Sequence, residues 1–216
     1  MNLGGGWMLQ RMGAEHLDEI CEIHRTSWGE NEVSVKLGAG YIRVFYAGVV
    51  SSPHAFGYVY LHDGKVVGYA SGFADYPAFN TEFRNRNLLR LGMTAALRMA
   101  TGRLRVGDLR DLLDDHRKLA KLRHPRHHWG AMALANPYKG TDLGRAAVLG
   151  TVNAVFDELA ARGCPSVWGA CDDRNVPMKK YLHKLGFAEV DAVPFRTRTI
   201  RVYEKPLPVP GAAGAS

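Results

Sequence analysis

The 216-residue chain contains only three cysteines, Cys21, Cys164 and Cys171. An odd count argues against a disulfide framework, and no interval between them has metal-ligand spacing. No metal is therefore expected, and a reducing, cytoplasmic setting is. Long hydrophobic runs are missing too: none approaches the ~20 apolar residues a helix needs to cross a bilayer. Met1 to Gly6 lacks the basic stretch and apolar core of a secretion signal, so none is expected. No segment repeats. No nucleic-acid recognition module is present, which leaves nucleic acid out of the expected partners. Carboxylates are the minority charge, 21 against 28 Lys and Arg, giving a formal net charge of +7. That excess suits an anionic ligand or partner.

What is there is an ordinary globular composition, 46% hydrophobic and 23% charged. The length suits one domain with a full core, here residues 7 to 205, as a monomer or homodimer. Pro206 to Ser216 is rich in Pro, Gly and Ala and reads as a disordered tail. Trp7 to Met12 has strand character. Ala14 to Arg25 and Val33 to Val50 carry apolar residues at helical spacing. Phe56 to His62 and Lys65 to Phe73 are β-rich runs joined by Asp63-Gly64, a strong hairpin signal. His128 to Ala135 is a further strand. Gly144 to Arg162 is the clearest helix, with Val148, Val152, Val155 and Leu159 on one stripe and Gly163 as its stop. Ser166 to Cys171 is a strand, Pro177 to Leu185 a helix, and Phe187 to Val190 and Arg196 to Tyr203 close the chain as strands. The order is β α α β β, a helical insertion, then β α β α β β, a mixed α/β (α+β) class.

The insertion, residues 75 to 126, contains no strand signal; Phe83 to Met99 and Leu109 to Leu122 have helical spacing. Between Arg84 and Arg126 stand twelve Lys or Arg against four Asp. Three readings fit it: a solvated basic face, a lid selecting an anionic acceptor, or contact with a membrane surface, since Leu88, Leu89, Leu91 and Leu97 lie among Arg84, Arg86, Arg90 and Arg98.

The stretch from Leu134 to Arg145, LANPYKGTDLGR, joins a strand to the clearest helix through a glycine loop. Free N–H groups at a helix N-terminus, the helix dipole, and Lys139 and Arg145 together make an anion cradle. It is not a nucleotide P-loop, because Arg145 and Ala146 stand where Lys and Ser/Thr are required, and it has no dinucleotide-binding G-x-G-x-x-G. The stretch does resemble the acyl-CoA loop of the GNAT superfamily of N-acetyltransferases, Q/R-x-x-G-x-G/A. Lys139 takes the Q/R place, Asp142 the central glycine place and Gly144 the final small-residue place. Ala135-Asn136-Pro137 is similar to that family's strand exit. Asn175, Tyr181, Lys184, Leu185, Gly186 and Phe187 resemble its second signature. Element order agrees from Trp7 to Lys205.

This resemblance implies a mostly antiparallel central sheet flanked by helices, with the helical insertion preceding the CoA-binding strand. It implies acetyl-CoA as co-substrate, held by Leu134, Ala135, Asn136, Lys139, Gly140, Thr141, Asp142, Leu143, Gly144 and Arg145, with Asn175 at the pantetheine or the helix start. It implies acetyl transfer to a primary amine of a small molecule, with Tyr181 as general acid. An alkyl ammonium has a pKa near ~10.4, so transfer also needs a base. The strand before the loop has no carboxylate, which leaves Glu82, His127 and His128 as candidates, or a water chain. Cys171 reads as a small buried residue. The missing strand carboxylate and Asp142 keep open a different class, a non-catalytic acyl-CoA sensor.

Overall fold

The computed structural model describes residues 6–30, 32–110, 126–195 and 198–208. Most of the expected Leu109–Leu122 helix, the start of the last expected strand and the chain end from residue 209 lie outside the described residues. Seven strands form one sheet, in the order β1-β2-β3-β4-β5-β7-β6. They are β1 (Trp7–Arg11), β2 (Ala55–His62), β3 (Lys65–Phe73), β4 (His128–Leu134), β5 (Ser166–Asp172), β6 (Ala188–Pro194) and β7 (Thr199–Pro206). Every neighbouring pair is antiparallel except β4 and β5. The mixed class and mostly antiparallel sheet are thus as expected.

Helices cover both faces. α1 (Leu17–Ser27), α2 (Val33–Leu37) and α3 (Ala39–Ser51) lie on one; α5 (Asp142–Ala161) and α6 (Val176–Lys184) lie on the other. Strand alternation explains the division. On β3, Tyr69 and Phe73 pack with Ile20, Tyr46 and Val49, whereas Ala70 packs with Val152, Val155 and Leu159. The stripe expected on α5 is this buried face.

The helical spacing from Val33 to Val50 does not form one helix. Gly38, at φ 87° and ψ 177°, splits it into α2 and α3. That conformation favours glycine, and periodicity alone does not register the break. α4 (Tyr76–Ala100) starts seven residues before the expected Phe83. Asp75 caps it by accepting from Ala78 N–H at 3.0 Å, and Pro77 sits in the first turn. Its opening turns are core, since Phe79 and Phe83 are buried against α3, so the segment is not a wholly appended insertion. The chain also stays ordered past Pro206: Leu207 is buried and its N–H bonds the Pro165 carbonyl at 2.9 Å.

Candidate active site

β4 and β5 share one residue pair, His128 with Trp168. The Trp168 N–H reaches the His127 carbonyl at 3.0 Å. Beyond that pair the strands part, opening the sheet towards their C-terminal ends. A bulge in β4 prepares the opening: Gly72 faces Trp129 but Ala70 faces Met132, so two β4 residues oppose Ser71. The Ala135 N–H bonds the Val67 carbonyl at 2.8 Å. By the antiparallel alternation, Met132 and Leu134 turn their peptide groups away from β3, to the open side. The Leu134 carbonyl accepts from Ser27 Oγ at 3.0 Å, which ties the end of α1 to this edge.

At the mouth of the opening Asn136, Pro137 and Tyr138 make one 3₁₀ turn, and Lys139 to Thr141 lead into α5. Gly140 has φ 80°. Thr141 is the N-cap, its Oγ1 accepting from Gly144 N–H at 3.0 Å. The N–H groups of Asp142 and Leu143, in the first turn, have no intrahelical partner and face the dipole's positive end. Asp142 does not cap the helix. Its side chain is 92% exposed and pairs with Arg145, so the carboxylate is turned out and balanced. Lys139 is left as the exposed cation of the loop. Gly144 is required by packing: a Cβ there would lie 2.0 Å from the Tyr138 carbonyl oxygen.

The second signature lies on the α5 side of the opening. Asn175 is the N-cap of α6, its Oδ1 accepting from Met178 N–H at 3.1 Å. Tyr181, two turns on, packs in the cluster that includes Met132 of β4 and Cys171 of β5. Its ring lies 6.4 Å from that of Trp129. The Tyr181 hydroxyl and the Trp129 indole N–H are buried and have no hydrogen-bond partner among the described residues. Burial pushes the Tyr181 phenol up, so it stays protonated at neutral pH. Burial also raises the Cys171 thiol, which removes it as a nucleophile.

The profile of the Acetyltransferase (GNAT) family matches residues 17–187. The chain belongs to this family. No curated protein matches the sequence. Among solved structures, the ribosomal-protein-S18-alanine N-acetyltransferase of Escherichia coli is 12% identical with TM-score 0.55, covering 97% of this chain and 99% of its own. An N-acetyltransferase of Staphylococcus aureus Mu50 is 13% identical with TM-score 0.58, covering 94% and 99%. The spermidine/spermine N-acetyltransferase SpeG of Vibrio cholerae is 10% identical with TM-score 0.53, covering 93% and 92%. At such identities the likeness concerns the fold.

In this GNAT chain the three base candidates fall in three different places. Glu82 lies in a groove between α3 and α4, accepting from Ser52 Oγ at 2.6 Å and paired with Arg86 at 2.9 Å. His127 places Nδ1 at 2.7 Å from the Ala74 carbonyl, which makes that nitrogen the donor. His128 stands at the apex of the opening, its ring 4.1 Å from Trp168 and 5.0 Å from Tyr76. It faces the sheet side opposite Trp129 and Tyr181. The carboxylates ending β5 are committed elsewhere: Arg174 beside Asp172 holds that group down to about 2, and Asp173 is paired with Lys179 and Arg201. No group of three or more metal-binding side chains occurs among the described residues.

One cluster gave no sequence signal. His24 Nδ1 lies 2.9 Å from Tyr46 Oη and 3.0 Å from Tyr69 Oη, and His24 Nε2 lies 3.0 Å from Ser34 Oγ. The imidazole stacks on Trp28. Burial pushes its pKa down to about 4, so it is neutral. The network joins α1, α2, α3 and β3 behind β4. Its members are up to 45 positions apart in sequence, beyond the reach of any local pattern.

Proposed function

We propose that the protein is an acetyl-CoA-dependent N-acetyltransferase acting on a primary amine of a small molecule by direct transfer. The observation that carries this is the opening between β4 and β5, which combines a helix N-terminus at its mouth with the buried hydroxyl of Tyr181, unpartnered among the described residues, beside it. An extended, amide-bearing pantetheine suits a strand edge that turns the Met132 peptide groups and the Leu134 N–H to the open side, the Leu134 carbonyl already accepting from Ser27 Oγ. A diphosphate suits the N–H groups of Asp142 and Leu143 with Lys139 beside them, and Asp142 offers no repulsion because Arg145 holds it outward. Asn175 keeps its amide N–H₂ for a pantetheine carbonyl while its Oδ1 caps α6.

In the reaction the amine nitrogen attacks the thioester carbonyl, a C–N bond forms and the C–S bond breaks. Tyr181 donates its proton to the leaving sulfur. His128, on the opposite face at the apex, takes the proton from the amine, directly or through water. Glu82 is held by Ser52 and Arg86 and is left out of this role. The test is release of free thiol from acetyl-CoA across an amine panel that includes polyamines, as named for the Vibrio cholerae neighbour, and anionic amines. The latter belong there because α4 is a basic helix, tied to α2 by the Arg98 guanidinium donating to the Leu37 carbonyl, and selecting an anionic acceptor is one role expected of this segment. His128→Gln should suppress the reaction at neutral pH and leave less of a deficit at high pH. A pH–rate profile parallel to that of the parent chain would remove His128 from the step.

A further inference from the structure

The outer face of α4 is not used by the site described above. From Arg84 to Gly107 the chain has six arginines and no carboxylate. The inward positions Phe83, Asn87, Leu91, Thr94 and Arg98 are buried or half-buried, as a helix with one packed face requires. The outward positions from Gly92 onward, namely Met93, Ala96, Leu97 and Ala100, carry no polar group. Leu88 is 63% exposed, Leu89 83%, Met93 74%, Leu97 65%, and Val106 just past the helix 76%. Leaving four large apolar side chains in water on the outward half of α4 is costly and marks a contact face. Cations accompany it: Arg84 ahead of Leu88, Arg90 between Leu89 and Met93, and Arg103 past the end of the helix, none paired with a carboxylate among the described residues.

We infer that this face of α4 is a docking surface for an anionic lipid bilayer, with Leu89, Met93 and Leu97 entering the acyl boundary and the flanking arginines meeting headgroup phosphates. Charge decides the occupant. A second copy of the chain would bring its own arginines against these. A nucleic acid would satisfy the arginines and leave the leucines in water. An anionic membrane surface accepts both kinds of group. No helix among the described residues is long and apolar enough to cross a membrane, so the contact is peripheral. The inference is independent of the acetyl-transfer reading.

The test is co-sedimentation of the full chain with vesicles of phosphatidylcholine alone and of equal parts phosphatidylcholine and phosphatidylglycerol. Binding to the anionic vesicles only is expected, weakening as salt is raised. Each of Arg84→Gln and Arg90→Gln should weaken partitioning about fivefold. The double substitution Leu89→Glu, Met93→Glu, at exposed positions outside the core, should abolish it with an unchanged circular dichroism spectrum. Three results would overturn the inference: no binding to anionic vesicles; binding that survives the double substitution; or a dimer in light scattering that the double substitution dissociates, which would assign the face to a second copy.

Discussion

Tyr181 carries the most specific claim at the scale of single residues. Its hydroxyl sits in an apolar cluster without a hydrogen-bond partner among the described residues, an arrangement that costs on the order of 1–3 kcal/mol unless something supplies the missing contact. A thiolate leaving group would supply it. Tyr181→Phe should therefore lower kcat by about a hundredfold while KM for acetyl-CoA changes little. Steady-state kinetics read both, and an unchanged kcat would remove Tyr181 from the mechanism. His24 gives a prediction about stability instead. Its pKa in the fold is about 4 against 6.5 for the free group, because burial disfavours the cation. The unfolded chain then binds the proton more tightly. The contribution is complete above pH 6.5 and is lost as pH falls towards about 4, amounting to roughly 3 kcal/mol. Urea unfolding across that range should show the decline, and His24→Gln should flatten the part that belongs to this residue. An equal slope in both proteins would mean that other groups dominate.

At the scale of elements, the loop into α5 has two separable parts. Thr141→Ala removes the N-cap and should cost about 1 kcal/mol in thermal or urea unfolding. Gly144→Ala is more severe, because its Cβ would meet the Tyr138 carbonyl at 2.0 Å and the loop must move. It should cost about 2 kcal/mol and weaken acetyl-CoA binding by more than Thr141→Ala does, as read by calorimetry. Equal binding in the two variants would count against the loop as the ligand's anchor. Elements that declare themselves locally were legible in the sequence. The Asp63-Gly64 hairpin forms as expected, with both residues at positive φ, and the stripe on α5 is the buried one. Elements decided by backbone or tertiary context were not. The break at Gly38 leaves the hydrophobic spacing of Val33 to Val50 intact, so periodicity passes over it. The early start of α4 depends on Asp75 and Pro77, whose capping role outweighs the low helix signal of Tyr76 to Thr81. The direction of the Asp142 side chain was not legible either, since it is decided by its pairing with Arg145.

The whole molecule is a sheet in two parts, β1 to β4 and β5 to β7, joined at one residue pair. Element order and the GNAT resemblance were readable from the chain because they rest on sequential features. The location of that joint was not, since it depends on the pairing of residues 40 positions apart, His128 and Trp168. The same limit applies to His24, Tyr46 and Tyr69, and to the different surroundings of Glu82, His127 and His128, which composition treats alike. Acetyl-CoA binding should span the joint's open side and stabilise the whole chain, by about 2.7 kcal/mol at a hundred times its Kd. Under the proposed function this opening binds acetyl-CoA and transfers its acetyl group to an amine. The most direct measurement is thiol release from acetyl-CoA in the presence of the amine panel, run beside a thermal-shift titration with acetyl-CoA. A raised Tm and amine-dependent thiol release that Tyr181→Phe suppresses are expected. A raised Tm with no thiol release on any amine would contradict the proposed function, leaving an acyl-CoA-binding protein without transferase activity.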